Sequence, residues 1–128
     1  MRNPIVYVTQ TPPNPNPRGR GPVFDISPAA RFGTIKILCN RAEIEEATTM
    51  TELLWKFRER MIPWDSSLDY ILPLGHTITM IAAALVALEK GDGRLRILQW
   101  DRRLKEYEMF LLDVHAQPLG ETLARRIV

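Results

Sequence analysis

The residues best suited to chemistry crowd into one stretch, GRLRILQWDRRLKEY, from Gly93 to Tyr107. Read as a strand, its first half places Arg94, Arg96, Leu98 and Trp100 on one face and Leu95, Ile97 and Gln99 on the other. The turn that follows adds Arg102, Arg103 and Lys105, and the returning strand brings Tyr107. Sequence-tolerant binding of single-stranded nucleic acid needs cations that track the phosphates and aromatic faces on which bases stack. This hairpin offers both. Asp92, Asp101 and Glu106 dilute the charge, and the same pattern also describes a Trp100 that plugs the core while Arg102 and Arg103 stay in solvent.

A second basic element lies in TPPNPNPRGRGP, residues 11–22. Its density of Pro, Asn and Gly rules out a ladder or a helix and predicts an extended, mobile loop. Arg18 and Arg20, flanked by glycines, stand where a flexible arm reaches a polyanion; the same arginines would also simply keep a surface loop solvated. The charge distribution agrees with a basic end. Up to Arg41 the chain has Arg2, Arg18, Arg20, Arg31, Lys36 and Arg41 against Asp25 alone, although the net charge is only +2.

Other chemistry has little support. His76 and His115 are the only histidines and have no metal-ligand spacing to a partner, so no metal site is expected. Ser27, Ser66 and Ser67 lie on no nucleophile elbow, and no carboxylate pair has acid/base logic. Cys39 is the only cysteine, which excludes an internal disulfide and fits a reducing compartment. In the strand pattern TIKILC, where it shares a face with Ile35 and Ile37, it reads as a small buried hydrophobe. The turn PLGHT, residues 73–77, sits where a strand hands over to a helix N-terminus, a place where nucleotides bind in α/β folds. It has one glycine and no Walker-type pattern, so a plain turn with a Thr77 cap is the favoured reading and nucleotide binding stays behind it. No enzyme and no cofactor are expected.

These candidates need a scaffold, and the stretch from Asp69 to Val114 supplies it. A short apolar run stops at Gly75, and an apolar helix from Ile78 to Lys90 follows, with Ile81, Ala84, Leu85 and Leu88 expected in the core. A helix without a polar face must be covered by other elements. Gly91 is expected to take the left-handed position that ends it, and Gly93 opens the next strand. Strand, crossover helix and strand predict a parallel βαβ unit. Upstream, Ile5 to Thr9 and Thr34 to Cys39 read as strands, with a brief return near Val23 to Ile26. Thr49 and Glu52 have capping-box spacing, and Met50, Leu53, Leu54, Phe57 and Met61 form one helical stripe that Pro63 stops. Trp55 lies off that stripe, beside Arg58. The expectation is one α/β (or α+β) domain over residues 1–128: a mixed sheet of about five strands, two main helices and a C-terminal hairpin. Residues 115–128 form a C-terminal segment whose Leu123 and Ile127 suit docking. The longest apolar run is too short to span a bilayer, and the N-terminus lacks a signal-peptide layout, so a soluble intracellular protein is expected.

The stretches VYVTQ, FDISPAARFG, DYILPLG and GRLRILQWDRRLKEY carry a likeness. The chain resembles small proteins encoded by tailed bacteriophages, which share a YVTQ-like start, a Pro/Arg-rich insertion and a DISPA-like segment. A β–G–α–β unit ending in WDR and a tyrosine follows, so the likeness covers the chain up to about Val114. It implies a phage protein that handles nucleic acid or a host factor. Some small proteins of lytic phages with their own RNA polymerase bind single-stranded DNA as transcription cofactors, and the hairpin makes that similarity attractive. Partners expected are therefore single-stranded DNA, RNA polymerase or another host protein, and further copies of the chain to make a continuous track. A host-takeover role, with Trp55 as a contact on a bacterial enzyme or defence complex, stays open beside it.

Overall fold

The computed structural model describes residues 2–12 and 25–116. Arg18, Arg20, most of the 11–22 loop and the 117–128 segment lie outside them. Five strands form where β-branched and aromatic residues recur: β1 Ile5–Val8, β2 Thr34–Ile37, β3 Tyr70–Leu72, β4 Arg94–Asp101 and β5 Glu106–Asp113. Their order is β2-β1-β3-β4-β5, with the first four parallel and β5 antiparallel to β4. Three helices accompany them: α1 Arg41–Glu46, α2 Met50–Arg60 and α3 Thr77–Lys90. The expected α/β class, βαβ unit and C-terminal hairpin are all present.

The sheet is buried on both faces, as parallel sheets are. On one face Tyr7, Ile71 and Leu95 pack against Leu53 and Phe57 of α2, Met61 at its C-terminal cap, and Ala82, Ala83, Val86 and Ala87 of α3. On the other, Val6, Val8, Leu72, Leu98 and Tyr107 meet Ala29 from a 3-10 turn, Ser27–Arg31. The period-2 alternation of β1 divides Tyr7 from its neighbours Val6 and Val8.

The helix α3 turns a different face inward from the one expected. Ile81 and Leu85 are 48% and 44% exposed, while Ala84 and Leu88 are only half-buried at the margin of the core. Small side chains explain the choice. Ala82, Ala83 and Ala87 let the helix approach the sheet closely, and the larger residues stay outside. Its N-cap is His76, which makes no side-chain cap; Thr77 is the first helical residue, and Thr79 instead donates its hydroxyl to His76 O at 2.7 Å. Gly91 is extended (φ −104°), and the left-handed position falls to Gly93 (φ +86°), where a Cβ would strike His115 and Val114.

Smaller departures have local causes. Asp25 and Ile26 form no strand; Asp25 Oδ1 accepts from Ser27 N at 2.9 Å and starts the 3-10 turn. Val23 and Phe24 lie outside the described residues. The short helix α1 has no apolar stripe to announce it, but Asn40 and Glu43 close a capping box at its start. Thr49 caps α2 by accepting from Glu52 N, as its spacing predicts, although the Glu52 carboxylate bonds back to Thr48. Ile37 is 43% exposed because β2 is a sheet edge.

Two polar anchors tie the sheet ends together. The fully buried Asp69 carboxylate accepts from Ile5 N (2.9 Å), Asp65 N (2.8 Å) and the Arg2 guanidinium. At the far end of β1, Thr9 Oγ1 accepts from Leu74 N at 2.7 Å, and Gln10 Oε1 accepts from His76 N at 2.8 Å. The two residues that follow Tyr7 and Val8 in YVTQ thus clamp the turn between β3 and α3.

Candidate nucleic-acid interface

The hairpin tip is built by Asp101. Its Oδ1 accepts from Arg103 N (2.8 Å) and Leu104 N (3.1 Å), while its carbonyl accepts from Lys105 N (2.8 Å). Lys105 closes the turn in the left-handed region, φ 53°. The acids that seemed to dilute the tip are directed elsewhere: Asp101 into the turn, Glu106 toward Arg31 at 3.6 Å, and Asp92 toward Ser66 and Arg94. Arg102, Arg103 and Lys105 are exposed, and none has an acidic partner among the described residues.

Strand parity holds for the rest of the hairpin. Leu98 and Trp100 face away from the helices, with Tyr107 directly across from Trp100 in register. Their rings meet edge to face, centroids 5.0 Å apart. Trp100 is half-buried, but Tyr107 is buried, and burial foremost, with Asp25 second, raises its phenol pKa. Arg94 is held by Asp113 at 3.5 Å and Asp92 at 3.9 Å. Arg96 lies with its guanidinium 4.7 Å over the Tyr70 ring. So the nine residues singled out from sequence separate into groups. Trp100, Arg102, Arg103 and Lys105 come together at one end, Arg94 and Arg96 are engaged within the fold, Tyr107 supports Trp100, and Arg18 and Arg20 are not described.

Beside Trp100 opens a cleft of about 420 Å³, walled by Leu72, Pro73, Leu74, Leu98, Gln99, Arg102 and Tyr107. It lies beyond the carboxyl end of β3 and alongside the second half of β4, and it joins the hairpin to the 73–77 turn that stood as a separate candidate. The buried Tyr107 hydroxyl has no hydrogen-bond partner among the described residues. The turn itself has Leu74 N and His76 N already engaged by Thr9 and Gln10, which leaves less of an anion cradle there. Sequence reasoning missed the β3 wall of this cleft, and it missed a run of alternating cations and rings on the same face. Arg31 sits 4.6 Å over Phe32, Phe32 meets Tyr70 edge-on at 5.4 Å, and Arg96 covers Tyr70. Parity along β3 was the available signal, since it puts Tyr70 with Leu72.

Cys39 is buried, donates to Thr9 O at 3.3 Å, and has its thiol pushed up to about 11, chiefly by burial, which is no setting for a nucleophile. Among the described residues no three His, Cys, Asp or Glu side chains cluster to hold a metal ion, and no helix is long and apolar enough to cross a membrane.

The sequence stretches behind the phage likeness all have structural work: YVTQ clamps a turn, DISPA starts the 3-10 turn, DYILPLG carries Asp69 and the cleft wall, and WDRRLKEY forms the tip. No curated protein and no solved structure matches the chain. A protein family does, across residues 4–114, a span that holds every strand and helix described above. The chain therefore belongs to the Phage Pam3 gp32-like protein family and is a bacteriophage protein.

Proposed function

We propose that this phage protein is a non-enzymatic binder of single-stranded DNA with little sequence preference, acting in transcription or replication in the host cytoplasm. One observation carries the reading: a half-buried Trp100 at the mouth of a cleft, beside three cations without acidic partners among the described residues. Trp100 offers the stacking face and Tyr107 fixes its tilt, while Arg102, Arg103 and Lys105 meet the phosphates. Arg18 and Arg20 would gather the strand from outside the described residues. Affinity falls steeply with salt in this reading, because neutralised phosphates release counterions.

Fluorescence anisotropy with single- and double-stranded oligonucleotides at two salt concentrations tests it. Tighter, salt-sensitive binding of the single strand is expected, and Trp100→Leu should weaken it by about 1–3 kcal/mol. Equal weak binding of both forms, or none at low salt, would overturn the proposal. Lys105→Gly separates fold from function. It relieves a left-handed residue and should stabilise the chain by about 1 kcal/mol, yet lower the salt slope of binding by roughly one phosphate contact. A variant more stable and equally tight would remove Lys105 from the strand path.

A second reading, a host-takeover protein that covers RNA polymerase or another host protein, is favoured by Trp55, which is 64% exposed. Retention of one stoichiometric host protein after nuclease treatment would support it. A nucleotide at the 73–77 turn has weaker support, given the engaged amides. A thermal-shift panel with no stabilisation at millimolar nucleotide would remove it.

A further inference from the structure

Four side chains among the described residues bury polar atoms that find no partner there: Tyr7, Trp64, Arg96 and Tyr107. Tyr7 and Trp64 meet ring to ring in the core on the helix side of the sheet, and Arg96 rests on the Tyr70 ring. Tyr107 differs, because it also lines the cleft beside Trp100. The residue is 2% exposed, so bulk water does not satisfy its hydroxyl. A buried hydroxyl without a partner costs folding free energy, and its presence in a native fold calls for a reason. A ligand that enters the cleft and completes the hydrogen bond is such a reason.

We propose that the cleft is a slot for one nucleobase of the bound strand and that the Tyr107 hydroxyl bonds the inserted base. The inference rests on the single-strand reading and goes further, since stacking on Trp100 alone requires no insertion. The lining matches a nucleotide part by part. Leu72, Pro73, Leu74 and Leu98 offer apolar walls to the faces of a flat ring. Trp100 stands among them as the stacking surface. Arg102 lines the same cleft without an acidic partner among the described residues, placed for the phosphate that a base carries with it. The Tyr107 hydroxyl supplies what apolar walls lack, a hydrogen-bonding group for the polar edge of the base. It both donates and accepts, so it pairs with any of the four bases and keeps the slot tolerant of sequence. A base stacked and paired in a duplex does not enter such a slot, so insertion also sets the single strand apart from the double strand.

The test compares Tyr107→Phe with the wild-type full chain, by melting temperature and by fluorescence anisotropy with oligo(dT) and oligo(dA) at two salt concentrations. Phenylalanine keeps the ring and its edge contact with Trp100 and removes only the hydroxyl. The melting temperature should be unchanged or higher. Affinity for both oligonucleotides should fall about three- to tenfold, the scale of one net hydrogen bond. The salt slope should stay as it is, because no phosphate contact is lost. Leu74→Phe, which fills the slot from another wall, should weaken binding with the same unchanged slope. Equal affinity in Tyr107→Phe would overturn the proposal, and so would a lower melting temperature, which would mean a partner within the chain. A Leu74→Phe chain that binds like the wild type would place the base outside the cleft and overturn it equally. In each of these cases Trp100→Leu still weakens binding and the single-strand reading stands, whereas a wild type that binds neither oligonucleotide removes both.

Discussion

Asp69→Ala should cost about 3–5 kcal/mol of folding stability, the scale of a buried ion pair broken from one side. The carboxylate is fully buried and ties the N-terminal stretch to the connection after α2. It takes Ile5 N at the start of β1, Asp65 N in the connection after α2, and the guanidinium of Arg2. Alanine leaves both amides without an acceptor and a partly buried guanidinium without its counter-charge, and each loss adds a desolvation penalty. Asp69→Asn keeps the volume but sets an N–H against a donor, so it should be nearly as damaging. Urea denaturation reads the effect directly; a loss below about 1 kcal/mol would mean that water replaces the carboxylate easily.

Gly75→Ala should cost about 3 kcal/mol, from the left-handed backbone and from lost hydrogen bonds together. Gly75 has φ +90°, and a Cβ there would lie 2.1 Å from Gln10 Oε1. Gln10 is 95% buried in effect, its side chain bonding His76 N at 2.8 Å and approaching His76 Nδ1 at 3.0 Å. It has no room to retreat without releasing the turn. For a chain of this length the melting temperature should drop by roughly 10 °C. A drop of only a degree or two would show that the 73–77 turn tolerates repositioning. The same turn supplies Pro73 and Leu74 to the cleft, so a folded Gly75→Ala chain also reports on how much the cleft wall matters.

Strands and their parity were legible because alternation is a local property. It put Leu98 and Trp100 on one face of β4, and the structure keeps them there. The inward face of α3 was not legible. A helix apolar on nearly every side carries no moment strong enough to say which stripe goes in, and packing distance decided in favour of alanines. The role of Asp69 was hidden for a different reason. Its three partners lie at both ends of a long sequence separation, and only the placement of β1 beside β3 brings them together. The cleft depended on the same neighbourhood: Trp100 could be read from the hairpin, but the wall from Leu72 to Leu74 required knowing that β3 lies next to β4. Helix α1 escaped because RAEIEE shows no stripe, although its capping box was written in Asn40 and Glu43.

The position of β1 has a consequence for how the chain matures. Strand β1, made before the other four described strands, pairs in parallel with residues 34–37 on one side and 70–72 on the other. It therefore emerges long before either neighbour, with an apolar sequence and both edges open, the kind of species most prone to aggregate during synthesis. The hairpin of β4 and β5 is the opposite case: its contacts are local, and hairpins close within microseconds. The hairpin is made after β1, β2 and β3 and closes at once, but its cleft also needs the wall after β3, so the candidate interface is complete only when the parallel pairing of β1 and β3 is in place. Folding should accordingly be limited by the non-local pairing of β1, and the chain's yield in the host should depend more on how the first strand is protected than on the hairpin that gives the protein its proposed activity.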